Sequence, residues 1–244
     1  MPAGMYKRIR SNEKNPHPIT ITKDGSHPSS MQARDYVFCS ECETRFDAEG
    51  ENYTLRFAAG KERFRLRDEL EAIKPSYANK EWRGYKKSDT PNIKREPLAY
   101  FGLSMFWRAS VHSWPLEDGT RRSARLNLGK ENNEALRKYL LGESPVPPKL
   151  SIFFVVLTDR LSQGSFYMPT FSHKKDFVWT YVFFACGMLY NLSIGKRLRP
   201  GASAICLLGS KDQWIWMRDG EEKTLEAFNS LIAKQPPELR LKEV

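Results

Sequence analysis

The sequence predicts an α+β fold on three observations: a long apolar helical stretch near the middle, short β-branched and aromatic segments after residue 150, and an amphipathic segment near the end. They order the chain as a small Cys-containing head, a helical middle, a β-rich C-terminal half and a closing helix. Hydrophobic residues make up 40% and aromatic residues 12% of 244 residues, enough to bury a real core and to exclude wholesale disorder. The expected division is a head over 1–57 and a mixed α+β domain over 58–244. Within the latter, helix is expected over 93–142, strands over 150–218 and a terminal helix over 221–234.

Met5 to Arg10 is short and basic and reads as a helical turn. Residues 11–35 read as loop, marked by Asn15-Pro16-His17-Pro18 and by Asp24-Gly25-Ser26-His27-Pro28. Tyr36-Val37-Phe38 is a short strand leading into Cys39-Ser40-Glu41-Cys42. Gly50 to Phe57 continues as helix or strand, and Arg56 to Lys74 becomes a charged amphipathic helix toward its end. Residues 75–92, with Trp82, Arg83, Tyr85, Lys86 and Lys87, read as a basic, aromatic-studded connector.

Glu96 to Trp114 carries the strongest helix signal. Leu98, Phe101, Met105, Phe106, Trp107 and Val111 make it apolar over most of its circumference, so it is expected to be buried. Arg108 within it must snorkel or find an anionic partner, and Pro115 ends it. Asn127 marks the N-cap region of a second helix, Lys130 to Leu141, which closes at Gly142. After the Pro-rich stretch 145–148, Leu150–Leu157, Phe166–Phe171, Val178–Tyr190, Ala204–Leu208 and Trp214–Met217 read as strands.

Lys and Arg number 39 against 29 Asp and Glu, a formal net charge of +10 that favours polyanionic partners such as DNA or RNA. The basic N-terminus has no apolar signal-peptide core, and four cysteines in this length form no disulfide framework. Both point to a reducing cytoplasm. The uncharged run 177–195 is nearly long enough for a membrane span, but its aromatic and β-branched residues, broken by Gly187 and Gly195, read as two buried strands. No membrane partner is therefore expected.

Cys39 and Cys42 are the closely spaced cysteine pair. A CxxC turn aims two thiolates at one point, as a tetrahedral zinc site requires, and His17 and His27 in the preceding loop are the nearest candidates for the remaining ligands. A metal-free CxxC and a redox pair are the alternatives. The redox alternative expects a strand-to-helix passage, which the flanking loop does not suggest. His112, on the apolar helix, reads as a core histidine, and His173 as part of a solvated turn. Lys7, Arg8 and Arg10 form one basic cluster beside the cysteines. Arg83, Lys86 and Lys87 form a second, where Trp82 and Tyr85 could stack on a single strand; the competing reading is a surface loop anchored by its aromatics.

Residues 1–10 followed by Phe38-Cys39-Ser40-Glu41-Cys42-Glu43-Thr44-Arg45-Phe46 and Gly50-Glu51-Asn52-Tyr53 resemble a group of uncharacterised bacterial proteins with a CxxCE…GE zinc-knuckle segment. Phe106 to Val111 is similar to that group's buried Trp-Arg helix. The segment in turn resembles the zinc-bound treble-clef head of HNH-type endonucleases. In the group a His-x-x-Pro helix and an earlier CxxC precede the segment; Pro2 aligns with that proline, which puts the histidine and the first CxxC upstream of Met1. Glu43 also stands where an HNH nuclease carries histidine or asparagine nearby, so the resemblance implies a shared scaffold more than shared catalysis.

The expected function is non-catalytic nucleic-acid or partner binding, with a degenerate HNH-like zinc-knuckle head. One alternative is a metal-dependent HNH-type endonuclease whose catalytic histidine lies upstream. Another is a structural or regulatory protein that binds no polyanion.

Overall fold

A seven-stranded mixed sheet carries a layer of helices on one face. The computed structural model describes residues 5, 19–22, 25–28, 38–60, 63–112, 114–115, 123–195, 204–208 and 210–219. The class is α+β, as expected. A hairpin, β1 (Ile19–Thr22) and β2 (Gly25–Pro28), precedes a helical run of α1 (Ser40–Phe46), a π turn (Asp47–Glu51) and α2 (Asn52–Phe57). Then come α3 (Arg65–Glu71), β3 (Tyr77–Ala78), β4 (Trp82–Tyr85) and the long α4 (Arg95–Val111). A short pair, β5 (Trp114–Pro115) and β6 (Ser123–Ala124), leads to α5 (Lys130–Leu140). The rest is β7 (Leu150–Leu157), α6 (Arg160–Gln163), β8 (Phe166–Lys175), β9 (Val178–Ala185), β10 (Met188–Gly195) and β11 (Ile215–Arg218).

The strand order in the main sheet is β3-β4-β11-β7-β10-β9-β8. Only β11 and β7 pair in parallel; every other neighbouring pair is antiparallel. The uncharged run 177–195 is therefore a hairpin of two strands, turning at Cys186 and Gly187, which have φ of 50° and 80°. Among the described residues no helix is long and apolar enough to cross a membrane.

Strand alternation splits the apolar residues of β7 between two faces. Ile152, Phe154 and Val156 join the main core with Tyr190, Phe183, Met217 and the helices, while Val155 and Leu157 join a smaller cluster around Trp216. Helix α4 lies on the main-core face. Gly102 makes this approach possible, because a Cβ there would sit 2.5 Å from Tyr190 Cδ1 and 2.7 Å from Ile152 Cδ1. Helix α5 packs beside α4, tied by the Tyr100 hydroxyl donating to the Leu140 carbonyl at 2.8 Å. The main core runs from Met5 to Met217, and Ala58 and Ala59, at the expected head boundary, are both buried in it. Residues 38–57 thus share their core with the sheet.

Four expected elements change. Residues 11–35, read as loop from their Pro and Gly, contain the β1–β2 hairpin, whose strands pair from Ile19 with Pro28 to Thr22 with Gly25. Residues 75–92 contain two strands of the sheet, because β4 pairs with β11 far along the chain, a partnership local pattern does not reveal. Ala204–Leu208 is not a strand; it turns, and Leu208 makes a single bridge to Ile152. Helix α4 stops at Val111, where His112 is extended, before Pro115 is reached. The expected terminal helix over 221–234 and all of Met5–Arg10 except the buried Met5 lie outside the described residues.

Candidate functional site

Cys39 is the N-cap of α1, with φ −69° and ψ 160°, and its carbonyl accepts the first helical hydrogen bond from Glu43 at 3.0 Å. Cys42 falls within the first turn, so the CxxC spacing brings both sulfurs to the same end of the helix. The amide and the thiol of Cys42 face the Cys39 sulfur and hold its pKa below the ordinary thiol value. Cys42, as the hydrogen-bond donor and more buried, is held above that value. Cys39 is exposed, while Cys42 packs against the main core. All four cysteines are thiols, and Cys186 and Cys206 are buried elsewhere.

Of the expected zinc ligands, His17 lies outside the described residues, and His27 is placed only as a backbone position in β2. Among the described residues no group of three or more His, Cys, Asp or Glu side chains stands close enough together to hold a metal ion. The two thiols are half of a four-ligand set.

Beneath this helix end lies an ion pair. Arg108 of α4 reaches Glu51 of the π turn at 2.6 Å and Glu43 at 3.9 Å, with its guanidinium 4.1 Å from the Phe46 ring centre. This is the anionic partner that the apolar helix demanded. His112 is half-buried at the end of α4, and His173 is exposed on β8, its Nδ1 3.1 Å from the Ser172 hydroxyl.

The other face of the sheet is aromatic. Strand registers align Tyr77, Gly84, Trp216, Val155, Leu189, Phe184 and Tyr167 in one row across all seven strands. Trp214 stacks on Trp216 at 5.3 Å and 14°, and Trp82 meets Trp216 edge-on at 6.2 Å. Gly84 leaves room for this cluster, since a Cβ there would lie 2.8 Å from the Trp216 ring. Trp216 is buried and donates its indole N–H to the Ile205 carbonyl at 2.9 Å; Trp82 and Trp214 are half-buried, and Tyr77 is exposed. Lys86 Nζ lies 5.3 Å from the Trp214 ring centre, and the Arg218 guanidinium lies 5.3 Å from that of Trp82.

The expected second basic cluster is thereby sorted. Lys86 joins the aromatic face, also pairing with Asp212 at 3.3 Å. Arg83 alternates to the opposite side of β4 from Trp82, where it pairs with Asp219 at 2.6 Å and approaches Glu71 at 3.7 Å. Lys87 pairs with Glu96 at 2.8 Å. Lys7, Arg8 and Arg10 lie outside the described residues. The sequence reading missed Tyr77, Trp214, Trp216 and Arg218 on this face. The period of two in Trp214-Ile215-Trp216-Met217-Arg218 was the available signal, because it turns both tryptophans and the arginine the same way.

No protein-family model, curated protein or solved structure matches the chain. Its chemistry has to be read from its own side chains.

Arg95, which the sequence reading also passed over, fixes the geometry around the aromatic edge. Fully buried, it donates to the carbonyls of Lys86, Thr90, Ile93 and Gln213 and to the Thr90 hydroxyl. One side chain thus ties the end of β4, the start of α4 and the loop before β11. Burial pushes its pKa down to about 10. A cleft of about 750 Å³ between α4 and α5 is lined by Trp107, Arg125, Asn133 and Arg137. Its arginines are already engaged, Arg125 with the Ser110 carbonyl at 2.8 Å and Arg137 with Glu134 at 2.9 Å.

Proposed function

We propose that the protein binds single-stranded nucleic acid, RNA or DNA, without cleaving it, along the aromatic edge formed by β3, β4 and β11. The observation that carries this reading is the cluster of Trp82, Trp214 and Trp216 on paired strands, with Lys86 and Arg218 over its rings and Tyr77 exposed beside it. Every base has a π face, so aromatic side chains on rigid strands accept successive bases with little regard to sequence. Trp216, braced by Ile205 and by Phe153 at 6.1 Å, supports the platform, and the half-buried Trp82 and Trp214 with Tyr77 supply the contact surfaces. Lys86 and Arg218 stand where a backbone beside those bases would run, and the net charge of +10 attracts a polyanion from a distance.

The placement of these aromatics on paired strands favours this reading over that of a loop merely anchored by its aromatics. It is tested by titrating tryptophan fluorescence with a single-stranded oligonucleotide at several salt concentrations. Saturable quenching, with affinity falling linearly in log–log coordinates as salt rises, is the expected result. Unchanged fluorescence and no co-migration at low salt would return the protein to the structural or regulatory class.

A further inference from the structure

We propose that Cys39 and Cys42 are a reversible dithiol–disulfide pair that exchanges with an external disulfide. This activity is independent of nucleic-acid binding, because the pair sits on the helical side of the sheet, away from the tryptophan face.

The geometry has the parts such an exchange requires. The i,i+3 spacing sets both sulfurs at the N-terminal end of one helix, Cys39 at its N-cap and Cys42 in its first turn. The pair is also asymmetric. Cys39 is exposed and open to attack by or on a partner, whereas Cys42 is partly covered by the main core. The helical run from Ser40 continues through the π turn to Phe57 and is anchored by Phe46 and Phe57 in the main core. Both thiols are therefore held on a rigid support rather than on a loop.

The exchange balances in two steps. The Cys39 thiolate attacks one sulfur of the external disulfide; a mixed disulfide forms, and the first external thiol leaves with a proton. Cys42 then loses its proton and attacks the Cys39 sulfur, closing the Cys39–Cys42 bond and expelling the second external thiol. Two electrons and two protons pass from the chain to the external disulfide, which is reduced to two thiols. Cys186 and Cys206 are buried and serve as internal controls.

The test equilibrates the full chain, purified without a metal-binding tag, in a series of reduced-to-oxidised glutathione ratios. Acid quenching, alkylation and peptide mass spectrometry follow, with zinc measured on the same sample. The expected result is loss of two hydrogens, confined to the peptide holding Cys39 and Cys42 and reversed by excess reduced glutathione. Cys42→Ser should stop at one glutathionyl group on Cys39, and Cys39→Ser should leave Cys42 largely unmodified. Cys39→Ser should melt with the reduced wild type, because Cys39 is exposed, and circular dichroism checks the fold of Cys42→Ser, whose residue packs against the core. Full alkylation of both thiols at every ratio overturns the proposal. So does about one zinc per chain that protects both thiols, which would assign the pair to a metal site instead.

Discussion

Arg108 Nη1 lies 2.6 Å from Glu51 Oε1, with only 9% and 7% of the two side chains exposed. The pair joins the π turn to α4 and so fixes the helix that carries the cysteines against the helix that lies on the sheet. A buried pair of this kind costs desolvation on both sides, and the attraction roughly offsets it. Removing one partner strands the other charge in the core.

Arg108→Ala should therefore cost about 3–5 kcal/mol, the range for a buried pair broken on one side. A paired replacement, Arg108→Met with Glu51→Leu, should recover most of that loss, since neither charge is then left behind. Denaturant midpoints of the two single variants and the double variant check this. A double variant as unstable as Arg108→Ala would mean that the pair's geometry, not its charge, holds the two helices.

The same glutamate sets a pH dependence. Burial holds the Glu51 carboxyl above the usual carboxylate range; Arg108 pulls it back, and Asp47 pushes the same way as burial. A carboxyl whose folded pKa is raised binds its proton more tightly in the native state than in the unfolded one, where it titrates near about 4.3. Its contribution is present below that unfolded value and is lost as pH rises through the folded value. The stability of the wild type relative to Glu51→Gln should thus decline as pH is raised from mildly acid toward neutral, read as the difference in denaturant midpoint at each pH. A difference that grows with pH would mean that Arg108 outweighs burial.

Gly102 offers a packing test. A methyl group there meets the Tyr190 ring, which is itself fully buried and stacked on Phe183 at 4.8 Å and 1°. Overpacking costs about 1–3 kcal/mol, against about 1 kcal/mol that alanine gains over glycine inside a helix. Gly102→Ala should lower the melting temperature despite its better helix propensity. A rise would show that Tyr190 can move.

What the sequence disclosed follows from the range of the interactions involved. Leu150–Leu157 was legible because an almost wholly apolar run bounded by turns needs no partner to be recognised, and α4 because its apolar residues cover most of its surface. Arg108 was legible as a demand for an anion, though not as a pair with Glu51. The strands β3 and β4 were not legible, because Tyr77–Ala78 is short and Arg83 interrupts the pattern, so only pairing with distant β11 makes them strands. Ala204–Leu208 misled for the opposite reason: it is apolar enough for a strand but makes only an isolated bridge to β7, at Ile152. At the candidate sites, CxxC spacing alone pointed to Cys39 and Cys42. The row from Tyr77 to Tyr167 exists only through register, which no local pattern encodes.

The aromatic edge of β4 and β11 gives the nucleic-acid reading its sharpest test, because its side chains divide by chemistry. Trp82→Ala and Trp214→Ala each remove a stacking surface, so each should weaken oligonucleotide binding by about 1–3 kcal/mol while leaving the salt dependence nearly unchanged. Lys86→Ala and Arg218→Ala remove charge, so each should flatten the slope of log affinity against log salt by about 0.7. Arg83→Ala, on the opposite side of β4 and paired with Asp219, should change neither quantity much. Trp216→Ala is the wrong probe, since Trp216 is buried and its loss would disturb the cluster that supports the other two rings. Circular dichroism of each variant separates lost binding from lost fold. If the tryptophan and the lysine variants bind with wild-type affinity and slope, the aromatic edge is not the surface that meets the strand.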